Sequence, residues 1–184
     1  HLSLFTAPPA LEREYDAGPD AYEAVLDAVR STTPCVIVDL PHVWAPWVKA
    51  TLIGADEIVL VATPDLASLR NAKSMIELLR HNRPNDAPPR LVLNQVGQPK
   101  RPEIPAKDFA ETLGVDPACV LNFDPALFGQ AANNGQMLIE LQSNAASSEA
   151  VRRLAQVVTG RAPQAQPKSQ SALLSFLSKG KKRA

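Results

Sequence analysis

The chain has 184 residues, 45% hydrophobic and 21% charged, which suits one globular domain with a core of its own. Nineteen basic residues balance nineteen acidic ones, so no global field draws the chain to nucleic acid, and none is expected as a partner. No apolar run approaches the about 20 residues of a membrane span, no signal peptide is visible, and two cysteines with three histidines make no zinc pattern. Buried free thiols in a reducing, cytoplasmic setting are the expectation.

The text begins at His1, without an initiator Met and directly in strand-like residues, which predicts the carboxyl-terminal part of a longer protein. His1 to Thr6 reads as a short strand closed by Ala7-Pro8-Pro9. From Asp20 to Arg30, Tyr22, Val25, Leu26 and Val29 recur at helical spacing, with Pro19 suited to the first turn. Cys35-Val36-Ile37-Val38 is apolar at every position, the pattern of a strand covered on both faces, and runs into Asp39 at its carboxyl end. Pro41 has no N–H for the ladder and stops it. A short helix is expected from about Pro46 to Ile53, then a second apolar strand, Glu57 to Thr63, ended by Pro64.

Leu66 to Arg80 carries Leu69, Ala72, Ile76 and Leu79 along one helical stripe. A turn-rich piece from Asn82 to Pro89 precedes the strand Leu91-Val92-Leu93, which ends at Asn94. The loop from Gln95 to Pro105 holds three prolines and Lys100-Arg101. Pro105 to Leu113 reads as a helix closed by Gly114, and Cys119 to Leu121 as a fourth strand leading into Asn122-Phe123-Asp124-Pro125. Residues 131–136 are small and polar, and Met137 to Leu141 is helical or extended. Ser147 or Ser148 would cap a last helix with Val151, Leu154, Ala155 and Val158 inward, ended by Gly160. Residues 161–170 are rich in Pro and Gln and read as a disordered linker. Alternating strands and helices predict an α/β fold: a mostly parallel sheet covered by helices on both faces.

Three of these strands end in polar residues: Asp39, Thr63-Pro64-Asp65 and Asn94-Gln95. In a parallel sheet such ends line the edge where ligands bind. Asp39 is placed to order Mg²⁺ through its water, and an Asn carboxamide matches the donor–acceptor edge of adenine. The same residues also serve as turn formers and strand closures. A receiver-type phosphoacceptor site would need a clustered acidic pocket, and the sequence offers none.

Val36-Ile37-Val38-Asp39-Leu40-Pro41, and the run from Gly54-Ala55-Asp56 through Ala62-Thr63-Pro64-Asp65-Leu66-Ala67-Ser68-Leu69-Arg70, resemble the MinD/ParA family of deviant P-loop ATPases. Within that family the likeness is to the CpaE/TadZ proteins of Flp (tight-adherence) pilus assembly. Leu91 to Gly97, Lys100 to Pro105, Phe123-Asp124-Pro125 and Ala131 to Gly135 extend it, so that residues 1–160 correspond to the carboxyl-terminal part of the ATPase domain. The resemblance implies a P-loop NTPase architecture lacking its amino-terminal P-loop segment. It implies ATP and Mg²⁺ as cofactors, with Asp39 as the Walker B aspartate, Asn94 reading adenine, and Phe123, Asp124 and Pro125 flanking the base. Pro41, His42, Trp44 and Trp47 fall where the family has a switch-like loop; packing of a short helix on the sheet explains the tryptophans equally well. ATP-dependent homodimerisation that recruits pilus-assembly or secretion proteins at the inner membrane or cell pole is the implied role.

Two departures qualify it. No G-x-x-x-x-G-K-[ST] or K-G-G-x-G-K-T loop occurs anywhere, so this chain alone is not expected to hydrolyse ATP. Asn71 stands where many relatives carry an Asp that helps assemble the dimer. The alternative is a non-catalytic localisation scaffold with the same fold. In the tail, 171–184, Leu173, Leu174, Phe176 and Leu177 share one helical face, followed by Lys179, Lys181, Lys182 and Arg183. Such a segment suits an anionic membrane surface; a disordered basic tail is the other reading.

Overall fold

The computed structural model describes residues 2–6 and 18–161. The elements in order are α1 (Pro19–Arg30), α2 (Pro46–Gly54), β1 (Val59–Ala62), α3 (Leu66–Asn82), β2 (Arg90–Val96), α4 (Ala106–Leu113), β3 (Pro117–Asn122), α5 (Pro125–Asn134), α6 (Leu138–Leu141) and α7 (Ala146–Val158). Among the described residues the sheet has three strands in the order β1-β2-β3, both pairs parallel. Each strand thus pairs with the next in the chain across a helical crossover, as parallel neighbours require.

β2 is the middle strand, and Leu91, Val92 and Leu93 are all buried although they alternate between faces. Both faces are therefore covered, which explains a run apolar at every position. Leu91 and Leu93 join one core cluster with Leu69, Ala72 and Ile76 of α3 and Phe109 and Leu113 of α4. The Leu69–Ala72–Ile76–Leu79 stripe is buried along its whole length, as its spacing predicts. α7 lies against β3. Gly114 closes α4 with φ 64°, in the left-handed region where a side chain would be strained. No helix among the described residues is long and apolar enough to cross a membrane.

The structure corrects several expectations. Cys35 to Leu40 is not a strand: among the described residues its backbone bonds to no strand, and Ile37 is 89% exposed. A segment becomes a buried strand only when strands on either side accept its ladder, and the described residues supply neither neighbour. Asp39 is accordingly exposed rather than at the end of a central strand, and Cys35 is an exposed thiol while Cys119 is buried. Residues 2–6 are likewise no strand, with Leu2, Leu4 and Phe5 each at least 80% exposed.

Residues 131–134, small and polar as they are, belong to helix α5. Asp124 starts that helix, its Oδ1 accepting the Leu127 N–H at 3.0 Å, and Pro125 fills the first helical position. α7 begins at Ala146, and Ala145 before it supplies no side-chain cap. Ser147 and Ser148 lie inside it and are buried, Ser148 Oγ donating to the Gln142 carbonyl at 2.7 Å, while Val151 is exposed. The Pro/Gln-rich segment 162–170 and the basic tail lie outside the described residues.

Candidate functional site

The carboxyl ends of β1, β2 and β3 form one edge. Ala62 pairs with Leu93, and Val96 with Asn122, so Thr63, Asn94 and Phe123 follow on neighbouring strands. The Phe123 N–H donates to the Val96 carbonyl at 2.8 Å and carries the pairing one residue past the strand. The Phe123-Asp124-Pro125 turn thus leaves β3 beside Val96, two residues past Asn94 on the neighbouring strand.

At the first corner Asp65 caps α3. Its Oδ1 accepts the Ser68 N–H at 2.8 Å, its Oδ2 accepts the Thr63 hydroxyl, and the Thr63 and Ser68 hydroxyls share a bond of 2.7 Å. The Ser68 amide, the two hydroxyls and the charge of Arg101 outweigh burial and hold its carboxyl below the ordinary aspartate value.

At the second corner β2 ends in a bulge. Leu93 pairs with Val120 and Val96 with Asn122, so β2 carries one residue more than β3, and Gln95 takes φ 58°. The Gln95 N–H donates to Asn94 Oδ1 at 2.9 Å, and Asn94 is half-buried. Beyond it, Glu103 accepts the N–H groups of Gly97 at 2.9 Å and Gln98 at 3.0 Å, together with Arg101 Nη2 at 3.0 Å. Those donors, the Gly97 amide foremost, hold Glu103 below the usual carboxylate range. Arg101 also donates to the Gln95 carbonyl and, at 3.4 Å, to Gln95 Oε1. The Ile104 N–H to the Pro64 carbonyl, 2.8 Å, fastens the loop to the first corner.

The remaining residues that the sequence singles out stand elsewhere. Asp39 lies in the exposed 35–40 segment, which is not a strand of the sheet built by β1 to β3. Trp47 stacks on Tyr22 of α1 at 4.1 Å and 11°, so the short helix packs on another helix. Trp44, His42 and Pro41 are exposed. The tail residues lie outside the described residues. Arg101 and Glu103, which have no role in the sequence reading, emerge as the charges that shape the edge. A loop with a glycine, an arginine and a glutamate directly after a strand is the signal that could have found them.

Asn94 offers amide donors and a second lone pair on Oδ1 at this edge. Among the described residues no three His, Cys, Asp or Glu side chains cluster to hold a metal ion. A shallow depression of about 510 Å³, lined by Ala106, Lys107, Ala110, Glu111, Asp116, Pro117 and Val120, lies beside α4 and the start of β3, not at this edge.

No protein-family model matches the chain. It is 27% identical over 161 residues to the septum site-determining protein MinD of Bacillus subtilis (strain 168), a match covering 85% of this chain and 59% of that protein. A ParA family ATPase from Chlorobium tepidum TLS superposes with a TM-score of 0.68 at 19% identity, over 81% of this chain and 61% of that one. MinD from Pyrococcus horikoshii OT3, solved with Mg-ADP, gives 0.65 at 19%, over 77% and 57%. The chain thus spans about three fifths of the length of these relatives. The sequence likeness is to MinD, and the superpositions show the fold of MinD and ParA-family ATPases: a parallel sheet flanked by helices.

Proposed function

We propose that the chain is the carboxyl-terminal part of a CpaE/TadZ-type localisation ATPase for Flp/Tad pilus assembly, and that its sheet edge reads the adenine of ATP. In this reading residues 1–160 belong to the ATPase domain, 161–170 link it to the tail, and 171–184 contact the inner membrane. Nucleotide-dependent dimerisation recruits pilus-assembly or secretion proteins. Asn94 contacts the base, the Phe123-Asp124-Pro125 turn flanks it, and Asp39 serves Mg²⁺ through water. Pro41, His42, Trp44 and Trp47 form the switch-like loop. The observation that carries the reading is that Asn94 and the Phe123 turn lie at the carboxyl ends of two paired parallel strands, on one edge of the sheet. The likeness to MinD and the Mg-ADP bound to a structural relative support it.

A non-catalytic scaffold of the same fold is the second reading, favoured by the missing phosphate loop and by Asn71. Titration of the full-length protein with Mg-ATP separates the two. Asn94→Ala should weaken binding about tenfold, the worth of a hydrogen bond or two. Unchanged affinity would remove the adenine assignment, and no binding at all by the full-length protein would leave the scaffold.

A further inference from the structure

The Arg101–Glu103 pair has no place in the base contacts just described, yet it holds the residue next to Asn94. An Asn carboxamide is nearly symmetric in shape and opposite in chemistry at its two ends. In one orientation it accepts from the amino group of adenine and donates to a neighbouring ring nitrogen. Turned over, it donates to the O6 of guanine and accepts from the N1–H. The Gln95 N–H, 2.9 Å from Asn94 Oδ1, favours one orientation, because a flip would set two donors against each other.

That N–H is aimed by the left-handed backbone of Gln95, a conformation that side chains other than glycine's resist. What holds it is the Arg101 guanidinium, which takes both the carbonyl and the side-chain oxygen of Gln95. Glu103 in turn fixes the guanidinium while collecting the amides of Gly97 and Gln98. Arg101 is 23% and Glu103 19% exposed, so the pair is sheltered rather than a solvated surface bridge.

We propose that Arg101 and Glu103 are positioning residues that set the base selectivity of this site, adenine over guanine, by keeping Gln95 left-handed and the Asn94 carboxamide unflipped. The proposal rests on the assignment of Asn94 to the base. Neither residue touches the nucleotide; both act through Gln95.

The test measures equilibrium affinities of the full-length protein for Mg-ATP and Mg-GTP. Wild type should prefer ATP, and Arg101→Ala or the isosteric Glu103→Gln should lower that preference on the order of tenfold. Adding Gln95→Gly to Arg101→Ala should restore most of it, because glycine takes the left-handed conformation unaided and keeps the N–H. A purely structural loop contact would not be rescued this way. An unchanged ATP-to-GTP ratio in Glu103→Gln, with Asn94→Ala still weakening ATP, overturns this proposal alone. Loss of preference that Gln95→Gly does not rescue also overturns it. Asn94→Ala without effect on ATP removes the base assignment and this proposal together. Thermal melts identify a variant that fails to fold; Glu103→Gln and Gln95→Gly by themselves then carry the comparison, the latter expected to keep the wild-type ratio.

Discussion

Asp65 and Asp124 show how one residue type builds a site without entering its chemistry. Each accepts the amide N–H three residues on, and so fixes where α3 and α5 leave the sheet edge. Replacing Asp65 by Ala should cost about 1 kcal/mol at neutral pH, the usual worth of such a cap, measured by urea unfolding. The folded-state pKa of Asp65 lies below its ordinary value, so this contribution is present above the unfolded value and lost as pH falls through the folded one. The gap between wild type and variant should therefore close below about pH 4, and a gap that persists in acid would assign the effect to packing instead. The Asp65 cap is legible in the sequence as an Asp ahead of a helical run; the Asp124 cap is not, and the family likeness marks Asp124 only as a base-flanking residue. The left-handed Gln95 is not legible, because nothing in Leu-Asn-Gln-Val marks a bulge; it follows from the Arg101 contact, which the chain makes only once folded.

At the scale of elements, helices whose stripes meet β2 are held firmly and those that meet other helices are not. Phe109 of α4 is fully buried among Ile76, Leu91 and Leu93. Phe109→Ala should lose about 3–5 kcal/mol, a large share of the about 5–15 that a domain of ordinary stability has. Val25→Ala on α1, which buries no residue, should stay within about 0.5 kcal/mol. Equal midpoints in denaturant for the two variants would contradict this division. The same contrast explains what periodicity can reveal. The α3 stripe and the apolar β2 run are readable because their partners lie within these residues. Cys35 to Leu40 has the same apolar text and no partner strand, so its pattern predicts a strand that the described residues do not form. α5 escapes because Asn133-Asn134-Gly135 looks like a loop; it is the end of a helix, with Gly135 at φ 61°.

Over the whole molecule the charge is zero, yet four cations fall within 179–184, directly after the apolar Leu173, Leu174, Phe176 and Leu177. A neutral protein with so local a basic end should bind anionic vesicles in a salt-dependent way, each cation contributing about 1 kcal/mol near the surface. Co-sedimentation of the full-length protein with phosphatidylserine-containing vesicles checks it, and Phe176→Asp should abolish most of the bound fraction. Binding that is indifferent to Phe176→Asp would make the tail a soluble basic extension. The fold as a whole is readable from the alternation of strands and helices. Of the candidate site, the sequence marks Asn94 and Asp65 as strand ends on one sheet edge, as the strand register shows them, but not the bulge that turns Gln95.

The in-order pairing of β1, β2 and β3 also bears on how this edge comes into being. Joining Val59 to Arg90, and Leu91 to Pro117, closes two chain loops of roughly thirty residues each, and the entropy of closure grows only logarithmically with such lengths. Each strand of this edge can meet its neighbour once the intervening helix is made. The edge can thus assemble from local chain alone, whereas an extra strand pairing with Val36 to Leu40 would have to arrive from farther away.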